Sequence, residues 1–275
     1  VTPDQSHPEA SRPENGALET GALETGALET GALELHGRVM PASNATFVGE
    51  IDGVRVVYKP IAGERPLWDF PDGTLAGREV AAYRISEHLG WSVVPLTWLR
   101  DGPHGLGMVQ VWKEPDEREA AVDIVPAGRI PAGWCRVFDG LDSRDHEVSL
   151  IHEDSAALRR MAVFDVVVNN ADRKGGHVLP MAGGHRYGVD HGVTMHVDPK
   201  LRTVLWGWAG TSLAADEIAA VSGLLEKEGQ VRASLEDLVT TSEVDALLLR
   251  AAELAESGEF PSPNGSWPAI PWPPW

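Results

Sequence analysis

Two aspartates in this sequence stand where an acid needs a reason to be. Asp172 follows the apolar run at 166–168 and the pair Asn169-Asn170, and Asp190 follows Tyr187-Gly188-Val189. Between them lie Arg173, Lys174 and His177, and Gly192 closes the stretch. A charge is costly to bury without a partner or a metal, so acids and bases that end apolar segments mark the rim of a site. The glycine frees the backbone to turn sharply after Asp190-His191. Two acids so placed suit phosphoryl transfer: one receives the proton of an acceptor hydroxyl, and the other holds a divalent metal ion on the phosphates. His177, five positions after Asp172, is a second candidate ligand, although it also reads as an ordinary loop histidine. Aspartate favours turns in its own right; the pair, rather than either acid alone, points to a site.

The elements that must position these residues divide the chain. Residues 38–59 read as a β-hairpin about Asp52-Gly53, a strong hairpin-turn signal, with Lys59 at the end of the second strand. Residues 74–89 read as a helix capped by Thr74 and ended by Gly90, with Glu79 in its middle. Two further strands are expected at 91–100 and 106–112, and 122–142 is rich in glycine and proline and takes no clear assignment. A helix capped by Ser155 runs to 168, a short strand precedes Asp190, and two or three helices follow Thr203. Ser234 with Asp237 and Ser242 with Asp245 resemble capping boxes. The pattern is α+β, a β-rich front third with one helix and a helical remainder. It implies two lobes with a cleft between them, the acids lying where the second lobe begins. Taken alone, Lys59 reads as a strand-end charge and Glu79 as a solvated helix charge.

The bulk properties narrow the function. The 275 residues suffice for two lobes with a core, and the formal net charge is −18. That charge opposes nucleic-acid binding, which needs a basic footprint, and docking on anionic lipid. Cys135 is the single cysteine, so neither an internal disulfide nor a cysteine-built zinc site is available. No signal-peptide pattern or membrane-length apolar run is evident, and a soluble cytoplasmic protein without stable membrane association is expected. Residues 1–37 hold repeats of Gly-Ala-Leu-Glu-Thr from Gly16. A period of five matches neither helix nor strand, so the expectation is a disordered leader whose last copy can join the first element of the domain. Residues 261–275, with three tryptophans among prolines, read as an extended strap across the surface or, less simply, a tail for a partner protein.

In order along the chain, Lys59 on a strand, Glu79 on the next helix, Asn170-Ala171-Asp172-Arg173 and Val189-Asp190-His191-Gly192 resemble the protein-kinase-like folds. In detail the chain is similar to the phosphatidylinositol 3-/4-kinase-like branch, which includes type II phosphatidylinositol 4-kinases and, more distantly, the HipA toxin kinases. That branch carries Asn-x-Asp-Arg and Asp-x-Gly where protein kinases carry His-Arg-Asp and Asp-Phe-Gly. A bacterial group within it is resembled through Ala-Ser-Asn-Ala-Thr at 42–46, Tyr-Lys-Pro at 58–60, Gly-Glu-Arg-Pro-Leu-Trp-Asp-Phe-Pro at 63–71, Asn-Asn-Ala-Asp-Arg-Lys-Gly-Gly-His at 169–177 and Lys-Leu-Arg-Thr-Val-Leu-Trp-Gly-Trp at 200–208. The likeness covers residues 38–275.

The resemblance implies an ATP-binding N-lobe over 38–112, a catalytic C-lobe over 113–260 and a tail over 261–275. It implies that Ser43, Asn44 and Thr46 cover the ATP phosphates, that Lys59 reaches the phosphates and pairs with Glu79, and that Gln110, Val111 and Trp112 form the hinge against adenine. Asp172 and Arg173 would be catalytic, Asp190 with His177 would hold Mg²⁺ or Mn²⁺, and Lys200 and Arg202 would face the unknown phosphoryl acceptor. Protein or small-molecule acceptors rank ahead of lipid. One departure matters: His177 stands where the family has a metal-binding asparagine, and imidazole suits Mn²⁺ better than Mg²⁺. A degenerate, nucleotide-binding regulatory module is therefore an alternative to an active kinase. A third reading, independent of the family, gathers Asp172, His177, Asp190, His191, His196 and Asp198 into a metal-dependent hydrolase site.

Overall fold

Asp52 and Gly53 both take positive φ, 50° and 81°, the backbone of the two-residue turn that matches strand twist. In the computed structural model, which describes residues 26–40, 44–263, 265 and 267–275, this turn joins β2 (Phe47–Ile51) to β3 (Val54–Pro60) with Phe47 opposite Tyr58 and Ile51 opposite Val54. The hairpin is the centre of a five-stranded antiparallel sheet. β1 (Glu34–Arg38) pairs with β2; β5 (Gly105–Val111) pairs with β3 and with the outer strand β4 (Thr97–Gly102).

The leader ends earlier than its repeat suggested. Residues 26–30, one full copy of the repeat, are helical, and Leu28 is buried with Ile51, Val56, Tyr58, Trp98 and Val109. Arg100 donates from Nη1 to the Leu28 carbonyl at 3.2 Å and from Nη2 to that of Gly31 at 2.9 Å. A side chain at Gly31 would run into the Asp52 carboxylate and the Ile51 side chain, so this repeat glycine lets the segment pack closely on the hairpin. The repeat therefore contributes to the N-lobe core through a tertiary contact that its period could not announce.

Helix α1 (Leu75–Leu89) lies between β3 and β4 and ends, as expected, at Gly90 in the left-handed region, φ 71°. Its start differs from expectation. The Thr74 hydroxyl donates to the Pro71 carbonyl instead of capping the helix. The Glu64 carboxylate takes the exposed N–H groups of Leu75 and Ala76 at 3.1 and 2.8 Å, a negative charge on the positive end of the helix. From the middle of α1, the buried Arg78 reaches the second lobe. It donates to the Thr194 carbonyl at 2.8 Å and pairs with Glu243.

The unassigned stretch forms a second sheet, absent from the expectation of a helical remainder. β6 (Val122–Pro126), β7 (Trp134–Leu141) and β8 (Glu147–Glu153) pair in the order β6-β8-β7, with a bulge between Arg136 and Phe138. Helix α2 (Ala156–Val168) follows, with Ser155 capping it as expected through its Oγ and the Leu158 N–H. The short pair β9 (Val178–Pro180) and β10 (Arg186–Gly188) comes next. Three helices complete the lobe: α3 (Ala215–Glu226), α4 (Glu228–Leu235) and α5 (Thr241–Ser257). The capping box lies at Thr240 and Glu243, not at Ser242 and Asp245, and Ser234 sits inside α4, donating back to Val231. The main core joins α1 to α2, α3 and α5 through Ile85, Phe164, Val221 and Leu247. Among the described residues no helix is long and apolar enough to cross a membrane.

If the repeat copy at 26–30 belongs to the fold, Leu28→Ala should lower unfolding stability by about 2 kcal/mol, the low end for a buried leucine. Denaturant titration of the full chain measures this, and a change within the scatter of surface substitutions would separate the repeat from the N-lobe.

Candidate functional site

The end of β3, the middle of α1 and the turn after β10 meet at one ammonium group. Lys59 Nζ donates to Glu79 Oε1 at 2.6 Å and to Asp190 Oδ1 at 2.8 Å. Lysine on the third strand paired with glutamate on the following helix is the arrangement that orders a kinase N-lobe. Burial by itself would lower the Lys59 ammonium, but Asp190 and Glu79 outweigh it and hold the group above the ordinary lysine range. Lys59 in turn holds the Asp190 carboxyl far below the usual carboxylate range. The acid at the cleft is thus an anion and the base a cation.

Asp190 occupies a strained position. Its φ is 63°, uncommon for a residue with a side chain and typical of functional sites. Two contacts hold it. The second oxygen of Glu79 accepts the His191 N–H at 2.8 Å. Gly192 lies against the first turn of α1, where a Cβ would come within 3.3 Å of Leu75. The glycine of the Asp-His-Gly stretch therefore serves close approach of the helix.

Asp172 stands on the other wall. Its N–H is accepted by the Asn170 side chain at 3.0 Å, and Lys174 Nζ is 3.4 Å from its carboxylate. Asp172, Asp190, Lys59, Glu79 and Asn44 all line one hollow of about 390 Å³. A larger hollow of about 490 Å³, elsewhere in the C-lobe beside Trp206, Arg250 and Phe260, contains neither Lys59 nor the two acids, so chemistry and not size marks the site.

Arg173, expected to be catalytic, is instead fully buried and cannot touch a substrate. Its Nε and Nη2 grip the Asp165 carboxylate of α2, both at 2.8 Å. Nη2 also donates to His191 Nε2 at 2.7 Å, and Nη1 to the carbonyls of His177 and Val189 at 3.2 and 3.3 Å. This one guanidinium ties the loop of Asp172 to the loop of Asp190. Gly188 makes room for it, since a Cβ there would lie 2.9 Å from Nη2.

His177 faces Asp190, with Nε2 3.4 Å from Oδ2. Its Nδ1 donates to the Asp172 carbonyl at 2.9 Å, which leaves Nε2 with its lone pair toward the carboxylate. Burial pushes the imidazole below the ordinary histidine range, against the pull of Asp190. A neutral imidazole nitrogen beside a carboxylate oxygen is a donor pair whose chemistry fits a divalent metal that accepts nitrogen, although Asp190 already has one cation in Lys59. Among the described residues no group of three or more His, Cys, Asp or Glu side chains closes on one point. The cluster imagined for a hydrolase is therefore dispersed. His191 is buried against Arg173, and His196 contacts the Asp69 carbonyl and the Asp198 N–H.

The remaining candidates lie around the hollow or away from it. Ser43 falls outside the described residues. Thr46 is nearly buried and donates to the Asn44 carbonyl. Gln110 is buried and donates to Thr97; the N–H groups of Val111 and Trp112 go to the carbonyls of Leu96 and Arg55. None of these three lines the hollow. Lys200 is buried, paired with Asp69 at 2.5 Å and sandwiched between the rings of Trp68 and Trp267 at 4.8 and 4.6 Å. Arg202 braces the Asp172 loop through its backbone, to Asn170 and from Arg173. Neither basic residue lines the hollow.

The strap reading of residues 261–275 holds for the described part: the Gly175 N–H donates to the Pro274 carbonyl at 2.8 Å. The indole of Trp275 covers Gly175, where a Cβ would lie 3.0 Å from the ring. Asp165, Glu64 and Arg65 escaped sequence reasoning. Asp165 carried a signal as one acid on an otherwise apolar helical stretch, and Glu64 and Arg65 lie in the stretch at 63–71 that carried the resemblance but were given no role there.

No family model matches the chain. It is 49% identical over 251 residues to protein Rv2133c of Mycobacterium tuberculosis, covering 86% of this chain and 90% of that one. Among solved structures, the proinflammatory kinase CtkA of Helicobacter pylori is similar with a TM-score of 0.44 at 11% identity, over 84% of this chain and 94% of that one.

If Arg173 and Asp165 are structural and Asp172 is not, Asp165→Asn should destabilise the fold by about 3–5 kcal/mol, the cost of leaving a buried charge uncompensated. Asp172→Asn should change stability by less than about 1 kcal/mol. Equilibrium denaturation of both variants checks the contrast.

Proposed function

We propose that this chain, which belongs to the family of protein Rv2133c, is an ATP-dependent phosphotransferase of the phosphatidylinositol 3-/4-kinase-like type. The observation that carries the reading is the Lys59 bridge: one ammonium joined to Glu79 and Asp190, with Asp172 in the same hollow. Lys59 holds phosphate oxygens of the nucleotide while Glu79 fixes its position. Asp172, partly open to the cleft, accepts the proton of the acceptor hydroxyl. Asp190 and His177 are the residues that would hold a divalent cation, which supplies charge neutralisation along the phosphates. With an imidazole in that pair, Mn²⁺ is favoured over Mg²⁺. Arg173 acts as a positioning residue, setting the separation of the two acids from beneath.

The acceptor is a hydroxyl of a protein or a small molecule ahead of a lipid, because a net charge of −18 repels anionic membrane surfaces. Nucleic acid is disfavoured on the same ground. One observation favours a second reading, a nucleotide-binding module without turnover: a histidine stands beside Asp190 where an oxygen ligand would serve Mg²⁺.

Thermal unfolding with ATP, with and without Mn²⁺ or Mg²⁺, tests the proposal. A ligand at about 100 times its dissociation constant adds about 2.7 kcal/mol, a rise of about 5–10 °C for a chain of this size. The expected outcome is a metal-dependent rise, larger with Mn²⁺, that is lost in Asp190→Ala and shifts toward Mg²⁺ in His177→Asn. Stabilisation by ATP with no metal requirement would favour the module without turnover, and no response to ATP would reject both.

A further inference from the structure

The loop at 61–71, between β3 and α1, is fastened to its surroundings at Gly63, Glu64, Arg65 and Asp69. The Gly63 carbonyl accepts the Ala45 N–H at 3.0 Å, and the Asn44 side chain accepts the Arg65 N–H at 2.8 Å. Glu64 caps α1. Asp69 pairs with Lys200 and offers its carbonyl to His196 at 3.1 Å. Against this background the guanidinium of Arg65 stands out: it makes no ion pair or hydrogen bond among the described residues. The residue nevertheless lines the hollow that holds Lys59, Asp172 and Asp190, as well as a smaller one beside Phe70.

The acids of that hollow have cations of their own. Asp190 has Lys59, and Asp172 has Lys174. The N–H groups at the start of α1, which in other folds receive a phosphate, are here filled by Glu64. A nucleotide triphosphate entering the cleft therefore meets a lysine already shared between two carboxylates and one arginine with no partner. The hollow contains Asp172, which must face the group being transferred, and none of Gln110, Val111 or Trp112. On the phosphotransfer reading it is the phosphate end of the site.

Resting on the phosphotransfer reading above, we infer that Arg65 binds the terminal phosphoryl group of the nucleotide. A guanidinium fork matches two phosphate oxygens at once and opposes the charge on the transferring group. The backbone bond to Asn44 and the neighbouring Glu64 cap fix the point from which the side chain reaches, so the loop carries a rigid base and a free cationic tip. Arg65 takes no part in making or breaking bonds; its role is to hold the group that Asp172 serves.

The test is calorimetric titration of the full chain with ADP and with AMP-PNP, an analogue that does not transfer its terminal group, both in Mn²⁺. Arg65 is exposed, so Arg65→Met and Arg65→Lys keep the fold. The wild-type chain should bind AMP-PNP about tenfold or more tightly than ADP, the scale of one charge-assisted hydrogen-bonded contact. Arg65→Met should abolish that preference while leaving the ADP affinity unchanged, and Arg65→Lys should retain part of it. A preference that survives in Arg65→Met, an equal loss for both nucleotides, or a wild-type chain with no preference would overturn the assignment. A wild-type chain that binds neither nucleotide would overturn the phosphotransfer reading and this assignment together, which sets that failure apart from the others.

Discussion

The buried pair between Arg173 and Asp165 is the constraint from which the geometry of the candidate site follows. Both side chains are fully withdrawn from water, and such a pair is tolerable only when its remaining donors and acceptors are met. Here they are met by the parts of the site. The carbonyls of His177 and Val189 and the ring of His191 accept from the guanidinium, and the Asn170 amide adds a bond to Asp165 at 3.0 Å. Desolvation therefore forces the two acid-bearing loops together: separating them would strand a charge in the interior. Asp172 and Asp190, the neighbours of these buried groups in sequence, are then presented to the cleft as a consequence.

A second layer of contacts sets the N-lobe on this platform. Glu79 links Lys59 to the His191 N–H, so the helix, the strand and the Asp190 turn are read out by one carboxylate. Arg78, its neighbour in sequence, points the other way and is fixed by Glu243 and the Thr194 carbonyl. Gly77 lets α1 sit against the α4–α5 connection, where a Cβ would be 2.8 Å from the Leu238 carbonyl. Three consecutive residues of α1 thus serve close packing, an interlobe anchor and the site. The 261–275 strap adds a brace from the opposite side, through Trp275 on Gly175 and through the Ala269 carbonyl, which accepts from the Thr203 N–H at 3.0 Å and the Trp206 indole at 2.8 Å.

Much of this was legible where the governing interaction is local. Asp52-Gly53, Gly90 and Ser155 fix their turn, stop and cap through bonds within a few residues, and each is found as read. The order of Lys59, Asp172 and Asp190 was legible because each sits in a short motif, whereas Glu79 was placed only by its position on the helix that follows Lys59. What failed was decided at long range. Thr74 looked like a cap, but Glu64, ten positions earlier, takes the helix N–H groups. Ser242/Asp245 and Thr240/Glu243 are overlapping frames of one signal, and Glu243 is selected by its partner Arg78, far away in sequence. The sheet at 122–153 hid behind glycine, proline and a bulge that breaks the period of two. Lys200 looked like a free cation because nothing near it in sequence reveals Asp69, Trp68 or Trp267. Arg173 looked catalytic by position, and its burial beside Asp165 makes it a support.

The central claim is that the nucleotide-metal complex lies between Lys59, Asp190 and His177. Electron paramagnetic resonance of Mn²⁺ bound with ADP addresses it directly, because a coordinated imidazole nitrogen couples to the manganese spin. The account predicts coupling from one nitrogen ligand in the wild-type chain and its disappearance in His177→Asn with Mn²⁺·ADP still bound. Nitrogen coupling that persists in His177→Asn, or a Mn²⁺·ADP complex that does not bind the chain, would contradict it.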